Sequence, residues 1–151
     1  MLCVTFDHER LVTGSGDKTI RVWSLKDGKC MQILRGHNRG VWCVQFFTPN
    51  LLISSSFDGT IKVWNLRENV CVRTLLSHEG PVWCLERRGN TLVTGSQDRT
   101  AKVWDISKCY LLHTLKAHTA AVFCCDLDEQ AKLVLTGGAD RVRRTQTERW
   151  W

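Results

Sequence analysis

A serine or threonine, a histidine and an aspartate recur together along this 151-residue chain. That combination is widely used to make a hydroxyl nucleophilic. Ser54, His37 and Asp58 form one copy, Thr94, His78 and Asp98 a second, and Thr136, His118 and Asp140 a third. Thr13 and Asp17 begin the series without a histidine, since His8 falls at a different place in the pattern. Recurrence decides the chemistry. An active site is built once, whereas a set repeated at fixed spacing belongs to a scaffold, so no catalytic residue is assigned. The eight cysteines follow the same logic. Cys43, Cys84 and Cys124 each come six residues after a histidine, and Cys30 and Cys71 stand 41 apart. No Cys-x-x-Cys pair supplies zinc spacing. Small, weakly polar side chains packed between sheets in a reducing compartment are expected, with no metal and no cofactor.

The elements that must hold these residues also repeat. LVTGSGDKTIRVW, LISSSFDGTIKVW and LVTGSQDRTAKVW place their aspartates 41 and 40 residues apart. Trp23, Trp64 and Trp104 keep the same two intervals, as do Gly36-His37, Ser77-His78 and Ala117-His118. In the second copy, VWCVQFF (41–47) precedes a turn at Thr48-Pro49-Asn50, and LLISSSF (51–57) leads into Asp58-Gly59. TIKVWNL (60–66) and VCVRTLL (70–76) complete it. The third copy reads VWCLERR, TLVTGSQ, TAKVWDI and LLHTLK, with turns at Gly89-Asn90 and Asp98-Arg99. β-Branched and aromatic residues dominate and no helical period survives. Asp58-Gly59 signals a hairpin, since both central residues can adopt positive φ. Such a meander of four antiparallel strands is apolar on both faces and must be sandwiched between neighbours. A period of about 40–45 residues, opened by Gly-His and closed by Trp-Asp, marks one blade of a β-propeller. The expected fold class is all-β, an incomplete propeller of about four consecutive four-stranded antiparallel blades with the last one broken off.

On these motifs residues 1–140 resemble the WD40 family. The resemblance implies a first blade over 1–35 that lacks its histidine, a second over 36–76, a third over 77–116 and a partial fourth over 117–140. A basic non-repeat tail, 141–151, follows. It also implies that a hydrogen-bonded tetrad pins each blade. His37, Ser54, Asp58 and Trp64 would make one complete tetrad, and His78, Thr94, Asp98 and Trp104 another. Thr13, Asp17 and Trp23, and His118, Thr136 and Asp140, would make partial ones. A buried carboxylate and imidazole satisfy each other there, with a hydroxyl and an indole N–H closing the network. Six residues past Asp140 stands Gln146 in place of tryptophan. From Arg141 the text RVRRTQTERWW leaves the pattern, and Trp150 and Trp151 come four and five residues late. The tail is expected to reflect truncation or a frameshift, with the remaining blades supplied by a longer parent chain. Two wet apolar faces would then keep this chain alone from behaving as a monomer.

The formal charge of +6 falls to about +3 without the last eleven residues. Scattered among acids, that excess describes a solvated surface and argues against a nucleic-acid partner. No run of 18 apolar residues spans a bilayer and no leader opens the chain, so a cytoplasmic or nuclear location is expected. The resemblance implies proteins or peptides bound on the narrow face of the propeller. Its contact positions map to Gly16, then Gly40, Trp42 and Phe57, then Pro81, Trp83 and Gln97, then Ala121, Phe123 and Ala139. Trp42, Phe57, Trp83 and Phe123, flanked by Arg39 and Arg99, would make an aromatic platform of the kind that anchors interfaces. Alternation of Val41 in, Trp42 out and Cys43 in favours exposure. Aromatics repeated in strands also suit a sheet core, and both readings stand. The phrase HTAAVFCCDLDEQAKLVLTGGAD and the VWCV and VWCL strands most resemble F-box/WD-type substrate receptors of cullin ubiquitin ligases. A scaffold in signalling or RNA processing is the other function class. No H-E-x-x-H, P-loop or isolated carboxylate pair points to an enzyme.

Overall fold

The computed structural model describes residues 1–116, 118–128, 133–141 and 143–147, the last five as backbone alone. The chain divides into two compact units, Met1–Leu76 and Ser77–Trp151. In the first unit β1 (Cys3–Phe6), β2 (Arg10–Gly14), β3 (Thr19–Ser24) and β4 (Cys30–Arg35) form one sheet in sequence order. A second sheet follows from β5 (Val41–Thr48), β6 (Leu51–Ser56), β7 (Thr60–Asn65) and β8 (Val70–Leu76). Val12, Ile20, Val22, Leu34, Val41, Val44, Leu52, Trp64 and Leu66 form one buried cluster of this unit.

The second unit holds β9 (Val82–Arg88), β10 (Thr91–Ser96), β11 (Ala101–Asp105) and β12 (Tyr110–Leu115) as a third sheet. The fourth contains β13 (Val122–Asp128), β14 (Leu133–Gly138) and β15 (Arg143–Thr147). Its core gathers Val93, Ala101, Val103, Leu115, Leu127 and Val134. Every strand pair is antiparallel, as short connections between successive strands require. The second strand of a sheet carries the most burial: β10 is buried at all six positions. Most of the serines and threonines buried there, such as Ser54, Ser56, Thr94 and Ser96, meet a hydrogen-bond partner. Among the described residues no helix is long and apolar enough to cross a membrane.

Four features depart from the expectations above. β5 extends through Thr48, which was placed in the turn. The Asp58-Gly59 hairpin is a three-residue loop in which Gly59 N–H donates to Ser56 O at 3.2 Å and only Gly59, at φ 80°, turns left-handed. Lys18, Arg99 and Arg141 adopt that conformation at the equivalent sites, with φ of 74°, 70° and 64°. This is a type I turn closed by a left-handed residue, so the aspartate itself never needs positive φ.

The third departure is β15. Residues 143–147, expected in a tail outside the blade, pair with β14 in the register of the other sheets. Val134 faces Gln146 as Leu52 faces Trp64 and Leu92 faces Trp104. Backbone pairing needs an extended chain and the Asp140-Arg141 turn, and both are present without the tryptophan. Trp150 and Trp151 lie outside the described residues, as does Ala117.

Cysteine packing is the fourth. None of the eight is fully buried, Cys30 and Cys124 are exposed, and no disulfide joins any of them. Cys3, Cys71 and Cys125 are partly buried against the core clusters, and the thiols of Cys3, Cys84 and Cys124 lie across the strand pair. A Cβ on Gly14 would stand 2.5 Å from Cys3 Sγ, and one on Gly95 or Gly137 would stand 2.6 Å from Cys84 or Cys124 Sγ. The glycine in each second strand thus makes room for the sulfur. In the second sheet Ser55 faces Cys43 at this place, and its buried hydroxyl has no hydrogen-bond partner among the described residues.

Candidate functional site

The loop before β5 and the β6–β7 turn bring four distant side chains together. Trp64 Nε1–H donates to Ser54 Oγ at 2.8 Å, and Ser54 Oγ lies 2.7 Å from His37 Nε2. On the other side of the ring, His37 Nδ1 is 2.9 Å from Asp58 Oδ2. With a neutral imidazole each contact has one proton: indole to hydroxyl, hydroxyl to Nε2, and Nδ1–H to carboxylate. The His37 and Trp64 rings meet edge to face with centroids 5.8 Å apart. The third sheet repeats the arrangement. Trp104 donates to Thr94 Oγ1 at 3.0 Å, Thr94 lies 2.8 Å from His78 Nε2, and His78 Nδ1 lies 2.7 Å from Asp98. In the fourth, His118 bridges Thr136 at 2.9 Å and Asp140 at 2.9 and 3.0 Å. The first sheet keeps only Trp23 to Thr13, at 3.0 Å, while Asp17 is about half exposed and pairs with Arg21 at 3.1 Å.

Two threonines join these networks that the spacing argument passed over. Thr60 donates its hydroxyl to Asp58 Oδ1 at 2.6 Å and its backbone N–H at 2.9 Å. Thr100 does the same to Asp98 at 2.7 and 2.9 Å. The signal was present as Asp17-Lys18-Thr19, Asp58-Gly59-Thr60 and Asp98-Arg99-Thr100, whereas Asp140-Arg141 is followed by valine. Backbone N–H groups of Asn38, Glu79 and Thr119 also reach Asp58, Asp98 and Asp140 at 2.8, 3.1 and 3.0 Å.

Burial alone would raise the Asp58 carboxyl. His37, Thr60 and the N–H groups of Asn38 and Thr60 outweigh it and hold the group well below the usual carboxylate range. Asp98 is held down in the same way against its own burial, by His78 and Thr100. Asp17 is lowered to about 2, chiefly by the hydroxyl and backbone N–H of Thr19. Burial pushes the Cys3 thiol up to about 12, so it stays protonated and inert.

The Ser54–His37–Asp58 chain has the hydrogen-bond order of a nucleophile, base and orienting acid. Its hydroxyl is nonetheless sealed: Ser54 and Thr94 are 0% exposed, and each oxygen already accepts an indole N–H. A substrate carbon cannot reach that oxygen without opening the blade. Among the described residues no group of three or more His, Cys, Asp or Glu is placed to hold a metal.

The aromatic positions lie at irregularities in the first strands. The pairing skips Trp42 between Val41 and Cys43, Trp83 between Val82 and Cys84, and Phe123 between Val122 and Cys124. Each ring is thus the extra residue of a bulge, which re-aims a side chain and breaks the simple alternation. Trp42 meets Phe57 at 5.0 Å between centroids and 87° between planes. Trp83 meets Phe123 at 5.5 Å and 73°, and its indole N–H donates to Gln97 Oε1 at 3.1 Å. Trp42, Phe57 and Trp83 are half-buried and Phe123 is 50% exposed, so the rings are neither core nor free-standing. Arg39 and Arg99 are exposed. The turns beneath are tied by Phe57 N–H to Gly40 O at 3.0 Å and Gln97 N–H to Pro81 O at 2.9 Å. Gly16 and Ala139 are exposed, and Ala121 is buried.

Antiparallel meanders joined by such networks define a protein built of propeller-type blades. The chain belongs to the WD40 family: the model described as WD domain, G-beta repeat, matches residues 2–24, 28–65, 69–105 and 109–142. WD40 repeats generally serve as non-catalytic scaffolds that bind proteins. The F-box/WD repeat-containing protein 7 of Drosophila melanogaster is 49% identical over 43 residues, covering 28% of this chain and 3% of that protein. Mitogen-activated protein kinase kinase kinase A of Dictyostelium discoideum is 42% identical over 38 residues, covering 25% and 4%. The chain thus matches less than a tenth of the length of these relatives. The computationally designed Ika8 protein superposes with a TM-score of 0.88 at 28% identity, covering 97% of this chain and 45% of that one.

Proposed function

We propose that this chain is a non-catalytic interaction scaffold whose His–Asp networks fix the blades and whose aromatic pairs take a protein or peptide. One observation carries the reading. Trp42 and Trp83 are partly exposed rings at equivalent bulges, and each packs on a second ring, Phe57 of the β6–β7 turn for Trp42 and Phe123 of the β13 bulge for Trp83. A ring held by an edge contact and a hydrogen bond is preorganised, and rigid aromatic anchors give most binding energy for least ordering cost. Arg39 would supply a polar contact beside the pair in the first unit, and Gln97 and Arg99 beside the pair in the second.

The bound partner would be a substrate presented for ubiquitination, as the F-box/WD likeness suggests. The match to a protein kinase kinase kinase supports a second reading, a scaffold in a signalling complex. The eight unbridged thiols suit a reducing cytoplasmic or nuclear compartment.

The test begins with a peptide selected on the full chain from a display library. Affinity and thermal stability are then measured on Trp42→Ala and Trp83→Ala. Binding should fall by ~2 kcal/mol or more with the melting temperature held. A variant that binds normally, or one that unfolds early, would remove the aromatic site. Partner turnover that is unchanged when the parent gene is silenced would exclude the ubiquitination reading and leave the signalling one.

A further inference from the structure

A groove of about 560 Å³ in the second unit has Ser77, Glu79, Asp98, Arg99, Lys102, Thr114 and Lys116 among its lining residues. Lys102 lines it and is only 8% exposed. Its ammonium donates to Ser77 Oγ at 3.0 Å and Thr114 Oγ1 at 3.4 Å and pairs with no carboxylate among the described residues. A largely buried cation normally has an anionic partner.

The protons define what is missing. Ser77 and Thr114 both accept from Lys102, which leaves each hydroxyl its own proton to donate. The ammonium keeps a third N–H. Three protons are therefore left to donate among residues that line one groove. Thr100 adds none, since its proton goes to Asp98 at 2.7 Å. Asp98 is itself occupied by His78 at 2.7 Å. Arg99 and Lys116 are exposed beside the groove, and neither forms a salt bridge among the described residues.

The neighbouring repeats lack this set. The second sheet carries Gly36, Gly59 and Leu76 where the third carries Ser77, Arg99 and Lys116, and its Lys62 donates to Thr74 at 2.8 Å in a more open setting. The first carries Ile33 in place of Thr114, and its Arg21 is spent on Asp17 at 3.1 Å. Blade architecture thus does not require these groups.

We propose that this groove binds a phosphate monoester dianion. Its oxygens would take the Lys102 N–H and the Ser77 and Thr114 hydroxyl protons, with Arg99 and Lys116 closing over the charge. The two charges of the dianion answer Lys102, Arg99 and Lys116 more fully than the single charge of a carboxylate, and the groove is large enough to admit the group that carries the phosphate.

Titration calorimetry on the full chain at low ionic strength tests this with two probes, inorganic phosphate and N-acetyl-O-phosphoserine amide. Both should bind. Equal affinities would assign the site to free phosphate, and tighter binding of the ester would assign it to an esterified one. Lys102→Met should weaken both by about ten-fold or more, the effect of losing a charge-assisted bond. Ser77→Ala combined with Thr114→Val removes two donors and no charge, and should weaken both by about three-fold or more. Glu79→Gln should tighten both by removing a like charge. If Lys102→Met melts early, the hydroxyl variant decides alone. Absence of binding by either probe, or an unchanged affinity in the hydroxyl variant, would overturn the proposal.

Discussion

The first and second sheets share one sentence of sequence, yet their aspartates live differently. Asp58 has a side chain 7% exposed, whereas that of Asp17 is 47% exposed. Both accept from the threonine two residues on, and both tryptophans donate to the hydroxyl of the second strand. What differs is the histidine. His37 sits between Asp58 and Ser54 and draws the turn onto the sheet, while Asp17 has no imidazole and turns to Arg21. The hydroxyl–indole contact survives alone, but the carboxylate is buried only when an imidazole can bridge it. A buried carboxylate without that bridge would cost more than the turn gains.

The largest way to break the comparison is the tryptophan. Trp64 is 1% exposed and closes the core of its unit, whereas Trp23 is half-buried. Trp64→Ala should cost ~3–5 kcal/mol through the cavity left behind. Trp23→Ala should cost clearly less, and equal losses in denaturant unfolding would show that the two sheets are equally closed.

Acid sharpens the same contrast. Asp58 and Asp98 have folded-state values below the unfolded carboxylate range, so the folded state binds fewer protons than the unfolded chain. Their contribution is complete above about pH 4 and is lost as pH falls through their depressed values. Asp58→Asn should flatten the fall in melting temperature below pH 4. Asp17→Asn, at an exposed carboxylate lowered to about 2, should change that profile less. Identical acid profiles for the two variants would contradict the assignment.

The smallest effect is expected at Ser55. Glycine fills this place in the other three sheets, and the Ser55 hydroxyl has no partner among the described residues. Ser55→Gly relieves an orphaned polar group and adds glycine's chain entropy, two opposed terms of ~1 kcal/mol each. A rise in the unfolding midpoint would show that the orphan outweighs the entropy.

Much of this was legible because strand chemistry and spacing act locally. The side chains that meet at His37 and His78 are those the 41- and 40-residue intervals pick out. Beyond Thr60 and Thr100, which the intervals passed over, three things were not. Lys18, Arg99 and Arg141 adopt a conformation that sequence assigns to glycine, because the three-residue loop demands it whatever residue stands there. The bulges at Trp42, Trp83 and Phe123 depend on pairing with the second strand, which no single strand's alternation records. Strand β15 was hidden by reading the missing tryptophan as the end of the blade. Side-chain identity marks the network, but the ladder needs only backbone.

The account turns on His37 and Asp58 acting as one unit. A double-mutant cycle in the full chain, with His37→Ala, Asp58→Ala and both together, measures that coupling by denaturant unfolding. The account predicts non-additivity of ~1–3 kcal/mol, since either single change already opens the network. Losses that add within ~0.5 kcal/mol would mean that the two residues stabilise the sheet independently.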